Sequence, residues 1–159
     1  MSAEPDVLQH RDWLDHNPCF GCGPTNDHGI QIETTIDAEG VGHATWMPEG
    51  YFQGPPGAVN GGLVAVPMDC HGNWTAINAF RARAVEQGRD PSVIAGVTGT
   101  YAVRLSAPTP IEGPIELRAE VTELDGRKAH VTVAASHDGT VTATFTGVFF
   151  EVDQSVYGG

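Results

Sequence analysis

One segment of this chain has the period of a helix, and it is set among stretches whose apolar residues alternate. The run Gly54-Pro55-Pro56-Gly57 favours turn geometry, because two prolines and two glycines resist starting a helix. Asn60 is a good N-cap type, so a helix is expected to open at Gly61. It should fade near Gln87-Gly88, where glycine suits a C-terminal cap and Asp90-Pro91 cannot continue it. Leu63, Val66, Cys70, Trp74, Ile77 and Phe80 recur at steps of three or four and define one buried stripe. Asp69 lies beside that stripe, on a row with Gly62, Ala65, Gly72 and Ala76, whose small side chains leave room for a ligand or for another backbone. The plainer alternative is an aspartate on the solvent side of an amphipathic helix. Pro67 costs a helix about 3 kcal/mol or more, so the first turn should be irregular or the helix should bend just before Asp69.

The rest of the chain reads as sheet. Ile30, Ile32, Thr34 and Ile36 alternate, and Val41 to Met47 follows Glu39-Gly40 as the second arm of a hairpin. Val93 to Ser106 is rich in strand formers and is closed by Pro108 and Pro110. Ile115 to Val121, Ala129 to Ala135 and Val141 to Phe149 alternate in turn, with Asp125-Gly126 and Asp138-Gly139 as hairpin turns between them. A short two-stranded unit, one long helix and a meander of strands make an α+β chain, an antiparallel sheet wrapped around a central helix. At 159 residues it is one domain. Residues 1–18, with Val7, Leu8, Trp13 and Leu14 among charges, form a weakly helical lid or packing segment. Residues 154–159 are expected to be a frayed tail.

Twenty acidic residues face 8 basic ones, a formal charge of -12, which argues against nucleic acid or an anionic membrane surface as partner. No apolar run approaches the ~20 residues of a membrane span, and the first residues lack a basic and an apolar region. Three cysteines, an odd count, do not make a disulfide scaffold, so a cytoplasmic protein is expected.

Asn60-Gly61-Gly62 followed by Asp69 resembles the His-Gly-Gly plus acid signature of hot-dog-fold acyl-CoA thioesterases of the phenylacetic-acid-pathway (PaaI-like) type. Cys19-Phe20-Gly21-Cys22-Gly23-Pro24 and Tyr51-Phe52-Gln53-Gly54-Pro55-Pro56-Gly57 resemble the flanking segments of the same family, and the match runs from residue 19 to about 150. The resemblance implies the hot-dog fold, an acyl-CoA or acyl-carrier thioester as substrate, no cofactor, and a homodimer or dimer of dimers with the acyl pocket between subunits.

A thioester hydrolase needs donors for a developing oxyanion, a base or nucleophile, and a dry slot for the acyl chain. The free amides of Gly61 and Gly62 at the helix start suit the first role, and Asp69 suits the second, as general base or as nucleophile. Asn60 stands where the family has histidine; it can cap or donate but cannot shuttle a proton near neutral pH. Thr98 is where related thioesterases place a hydroxyl that helps hold the attacking water across the subunit interface. Thr100 competes with it, since alternation sends both to one face. Gly54, Val59 and His71 join Thr100 as candidate substrate-binding residues, although His71 is about 200° around the helix from Asp69. Arg81 and Arg104 are candidates for the phosphates of CoA. Cys19 and Cys22 have zinc-knuckle spacing with His16 and His28 nearby, but without a second cysteine pair they read as a structural loop and no metal is expected. Cys70 reads as a buried residue of the apolar stripe. Two other readings use the same scaffold: an acyl-ligand-binding or pathway accessory protein without turnover, and a dehydratase or isomerase, which would want His71 within reach of Asp69.

Overall fold

A computed structural model of the protein describes residues 6–10 and 16–157. Six strands form one antiparallel sheet: β1 (Thr35–Ile36), β2 (Gly42–Trp46), β3 (Ile94–Leu105), β4 (Ile115–Asp125), β5 (Lys128–His137) and β6 (Thr140–Asp153), in the order β1-β2-β4-β5-β6-β3. A single long helix, α1 (Gly61–Glu86), packs against one face. This is the expected hot-dog layout, and the turns that close it are where the sequence placed them. Asp138 and Gly139 both have positive φ, 47° and 76°, as a two-residue hairpin turn requires. Gly88 has φ +69° and ends α1 as a left-handed cap.

The first hairpin is shorter than its alternation implies. Residues 30 and 32 give their amides to the carbonyls of Phe20 and Gly21, at 2.7 and 2.9 Å, so that stretch is tied to the preceding loop and only Thr35 and Ile36 are left to pair with β2. The helix also corrects the reading of its faces. Val64, Met68, His71, Gly72, Thr75 and Ala76 are the residues pressed on the sheet, whereas Leu63, Val66 and Cys70 are only part-buried. Gly72 marks the closest approach: a Cβ there would lie 3.2–3.3 Å from Phe149 and Val133. At Gly72 the space on the Asp69 row is filled by the side chains of the sheet, not by a ligand. Pro67 is buried within an uninterrupted helix, so the first turn is regular.

Thr98 and Thr100 do not share a face. The pairing of β3 with β6 shifts between them: Thr98 lies opposite Phe149, on the inner face, and Thr100 opposite Val148, on the outer one. Gly99 is the extra residue of this bulge, and a side chain there would run into the Phe150 ring.

Of the N-terminal segment, Leu8 and Gln9 are buried, with Gln9 Nε2 donating to Thr34 Oγ1 at 3.1 Å, while Trp13 and Leu14 lie outside the described residues. The tail is not frayed where it is described. Gln154–Tyr157 forms a 3-10 turn, and Tyr157 Oη donates to the Gly96 carbonyl at 2.6 Å; residues 158–159 lie outside the description.

Candidate functional site

Asp69, Cys70, Asn73, Trp74 and Ile77 recur at helical spacing, and together they form one wall of a cleft of about 910 Å³. Ala95 to Thr98 of β3 make the facing wall, and His16 to Cys19 with Cys22 and Asp153 to Tyr157 close the ends. The stripe containing Cys70, Trp74 and Ile77 is thus the cleft-facing side of α1, with Asp69 on it and not on a solvent face.

Asp69 is held by one strong contact: Thr98 Oγ1 donates to its Oδ1 at 2.9 Å. Burial pushes the carboxyl above the ordinary aspartate range, the Thr98 hydrogen bond pulls it back, and the nearby Cys19 pushes it up again. A carboxylate that is half-desolvated in a cleft is a better proton acceptor than one in water, which is what general-base chemistry asks for. Asp69 and Thr98 come from the same chain here.

The helix start does not converge on this pair within one chain. Asn60 caps α1, its Oδ1 accepting from the Gly62 amide at 3.0 Å, so that amide is engaged rather than outward and free. The Gly61 amide has no acceptor among the described residues. Eight residues separate Gly61 from Asp69, about 12 Å along the helix axis at 1.5 Å per residue. Gly54 and Val59 surround the same helix start: Gly54 packs on Asn60, and the Val59 amide donates to the Thr109 carbonyl at 2.8 Å.

His71 lies elsewhere. It is fully buried, its Nδ1 meets Thr34 Oγ1 at 2.9 Å, and its Nε2 has no partner. Burial lowers its pKa to about 4, so the ring is neutral in the fold. It does not line the cleft, and the acid–histidine pair that a dehydratase would use is not assembled. Thr100 and Arg104 are exposed on the outer face of β3. Arg81 donates Nε and a terminal nitrogen to the Ile94 carbonyl at 3.2 and 3.1 Å, which anchors the start of β3. Arg83 and Arg89 both meet Glu151, at 2.8 and 2.6 Å. Among the described residues, no lysine or arginine lines the cleft.

Two features of the cleft escaped sequence reasoning. Asn73 Nδ2 donates to the Gly96 carbonyl at 3.1 Å, and its buried Oδ1 has no partner, an acceptor in the cleft wall. Cys70, read as core, lies beside the Cys19 loop, with the two sulphurs 3.8 Å apart. Hydrogen bonds from the Cys22 and Cys70 thiols hold the Cys19 thiol low, and that sharing raises Cys22 and Cys70 in return. A four-residue periodicity linking Asp69, Asn73 and Ile77, read against a loop carrying two cysteines, was the only sequence signal for either feature.

No protein-family model and no curated protein matches the chain. Solved structures do. A thioesterase superfamily protein is 26% identical with a TM-score of 0.66 over 85% of this chain, and this chain spans 63% of that protein's length. A thioesterase superfamily protein from Shewanella loihica is 26% identical with a TM-score of 0.61, covering 79% of this chain and 95% of its own. A phenylacetic-acid-degradation-related protein from Ralstonia eutropha, 19% identical with a TM-score of 0.62, shares the fold over 76% of this chain and 85% of its own. No helix among the described residues is long and apolar enough to cross a membrane. The chain has the hot-dog fold, and solved neighbours at 26% identity are thioesterase superfamily proteins.

Proposed function

We propose that the protein hydrolyses an acyl thioester, carried on CoA or on a carrier protein, in the cleft containing Asp69. The observation that carries this reading is the half-buried Asp69 carboxylate facing the cleft and accepting a hydrogen bond from Thr98. Asp69 takes a proton from water as the water attacks the carbonyl carbon and returns it to the thiolate as the C–S bond breaks; or it attacks that carbon itself, expelling the thiolate, which takes a proton from water, and leaving a mixed anhydride that a second water hydrolyses to the free acid. The developing oxyanion is met by the Gly61 amide, at the positive end of α1.

Because Gly61 and Asp69 are about 12 Å apart along one helix, the two belong to one site only when a second copy supplies one of them. β3 is the long edge of the sheet, and Thr100, Tyr101, Ala102, Arg104 and Leu105 are exposed along it. A free strand edge is a template for pairing with another copy, so the working unit is a homodimer paired through β3. The phosphates of CoA lie outside the cleft, whose walls carry Asp69 and Asp153 but, among the described residues, no lysine or arginine. The test is thiol release from a panel of acyl-CoA esters. Wild-type protein is expected to turn over at least one, and Asp69→Asn to lose about 10²-fold or more of that rate; full activity in the variant refutes the mechanism.

A second reading has one observation in its favour. Asn60, at the position of the family's histidine, is engaged as a helix cap. An acyl-ligand-binding protein without turnover would show ligand-induced stabilisation and no thiol release.

A further inference from the structure

The chain has three cysteines, and all three meet on the cleft wall although 51 residues separate Cys19 from Cys70. Their Sγ atoms lie within 4.8 Å of one another. Two sulphurs held ~2.3 Å from a tetrahedral zinc ion are ~3.8 Å apart, and the Cys19 and Cys70 sulphurs stand at 3.8 Å. The loop is shaped for thiolates. Cys19-Phe20-Gly21-Cys22-Gly23 is a knuckle in which the Gly23 amide donates to the Cys19 carbonyl at 2.8 Å. Asn17 Nδ2 donates to the Cys22 sulphur at 3.8 Å, and Asn17 Oδ1 accepts from the Cys19 amide at 2.9 Å. Such donors are the usual outer support of metal-bound sulphur. Gly21 lets the helix come close, because a Cβ there would collide with Cys70 Sγ. Among the described residues the surrounding wall carries Asp69, Asp153 and His16 and no lysine or arginine.

We propose that Cys19, Cys22 and Cys70 bind one zinc ion, with its fourth coordination position turned to the cleft. The ion ties the N-terminal loop to the middle of α1. Because all three ligands line the cleft, the fourth position is open to water or to a sulphur-bearing ligand, the arrangement of a reactive rather than a closed structural site. Each thiol gives up its proton as it binds. The site stands whether or not Asp69 hydrolyses thioesters.

Reduced, chelator-treated wild-type protein titrated anaerobically with Co²⁺ tests the site without reference to activity. The expected result is one equivalent bound, with a sulphur-to-cobalt charge-transfer band and tetrahedral ligand-field bands that one equivalent of Zn²⁺ abolishes. As these are the chain's only cysteines, the band reports on this cluster alone. Cys70→Ser should weaken binding by about tenfold or more and reduce the band. The wild-type titration decides the matter even where that variant fails to fold. No charge-transfer band, or undiminished binding in folded Cys70→Ser, overturns the proposal. So does native protein that contains no metal and has a mass two hydrogens lower, the mark of a disulfide.

Discussion

Replacing Asp69 with asparagine should make the protein more stable as it removes its chemistry. The folded state raises the carboxyl's pKa, first through burial, so the ionised form is worse off in the cleft than in the unfolded chain. A hydrogen bond to an ion is worth about 1.5–3 kcal/mol, and Thr98 supplies one; the upward direction means that desolvation exceeds it. Asp69 is only part-buried and water screens it, so a net penalty of about 1 kcal/mol at neutral pH is expected. Asparagine keeps an acceptor for Thr98 and carries no charge to desolvate. A gain of about 1 kcal/mol corresponds to a rise in Tm of about 2–4 °C for a domain of this size. The pH dependence fixes the cause. A carboxyl with a raised folded pKa is protonated in both states below its unfolded value of 3.8, so the ionic penalty is absent there; the advantage of asparagine opens as pH rises through that unfolded value and is complete above the folded one. His71 has its pKa lowered to about 4 by burial, so it destabilises both proteins as pH falls from about 6.5, and the difference between them cancels this. Urea unfolding of both proteins at pH 7 and near pH 4 measures the gap. A variant less stable than wild type at pH 7, or a gap that does not shrink toward pH 4, refutes the account of Asp69 as a desolvated acid.

Other expectations follow from the same geometry. Thr98→Val removes the one donor to Asp69, so the acid limb of any pH–rate profile should move to higher pH, with the alkaline limb unmoved. Gly61→Pro deletes the Gly61 amide hydrogen at the first helical position, where proline is favoured; the one contact in its way is the tip of the exposed Leu105 side chain. It should fold and lose activity. Mixed and reassembled with Asp69→Asn, it should regain about a quarter to a half of wild-type activity if each site draws on two copies, whereas no recovery would separate the helix start from the site. Glu151→Ala strips Arg83 and Arg89 of their shared carboxylate, which is only 10% exposed, and should cost about 2–3 kcal/mol in urea unfolding.

The layout was legible because its signals are local. Asn60, Gly88, Asp138-Gly139 and the alternation of β4 to β6 state their conformations within a few residues, and the structure agrees with them. Asp69 was singled out by its resemblance to the family signature and Thr98 by the same resemblance, as a residue acting across a subunit interface; that the two bond within one chain was not foreseen. What failed was whatever depends on distant partners. The stripe on α1 was read only in part: Trp74, Ile77 and Phe80 are core as expected, but Leu63, Val66 and Cys70 are only part-buried because the sheet takes Val64, Met68 and Gly72, the last packed on Phe149 and Val133. The amides near Ile30 and Ile32 go to a loop that no alternation rule sees. Cys70 looked like core until the knuckle was folded back on it. The Gly62 amide looked free because capping by Asn60 and availability to a ligand are written by the same residues.

Gly99 sets the sidedness of its strand. Ahead of it, Ile94, Gly96 and Thr98 look inward; past it, Tyr101, Val103 and Leu105 do, so the parity of the strand changes at one side-chain-free position. Without that spare residue in the count, Arg104 would fall on the inward parity and Tyr101 on the outward one. The threonine that steadies the acid and the arginine kept out of the core therefore answer to the same single insertion, and any lengthening or shortening of β3 elsewhere would set one against the other.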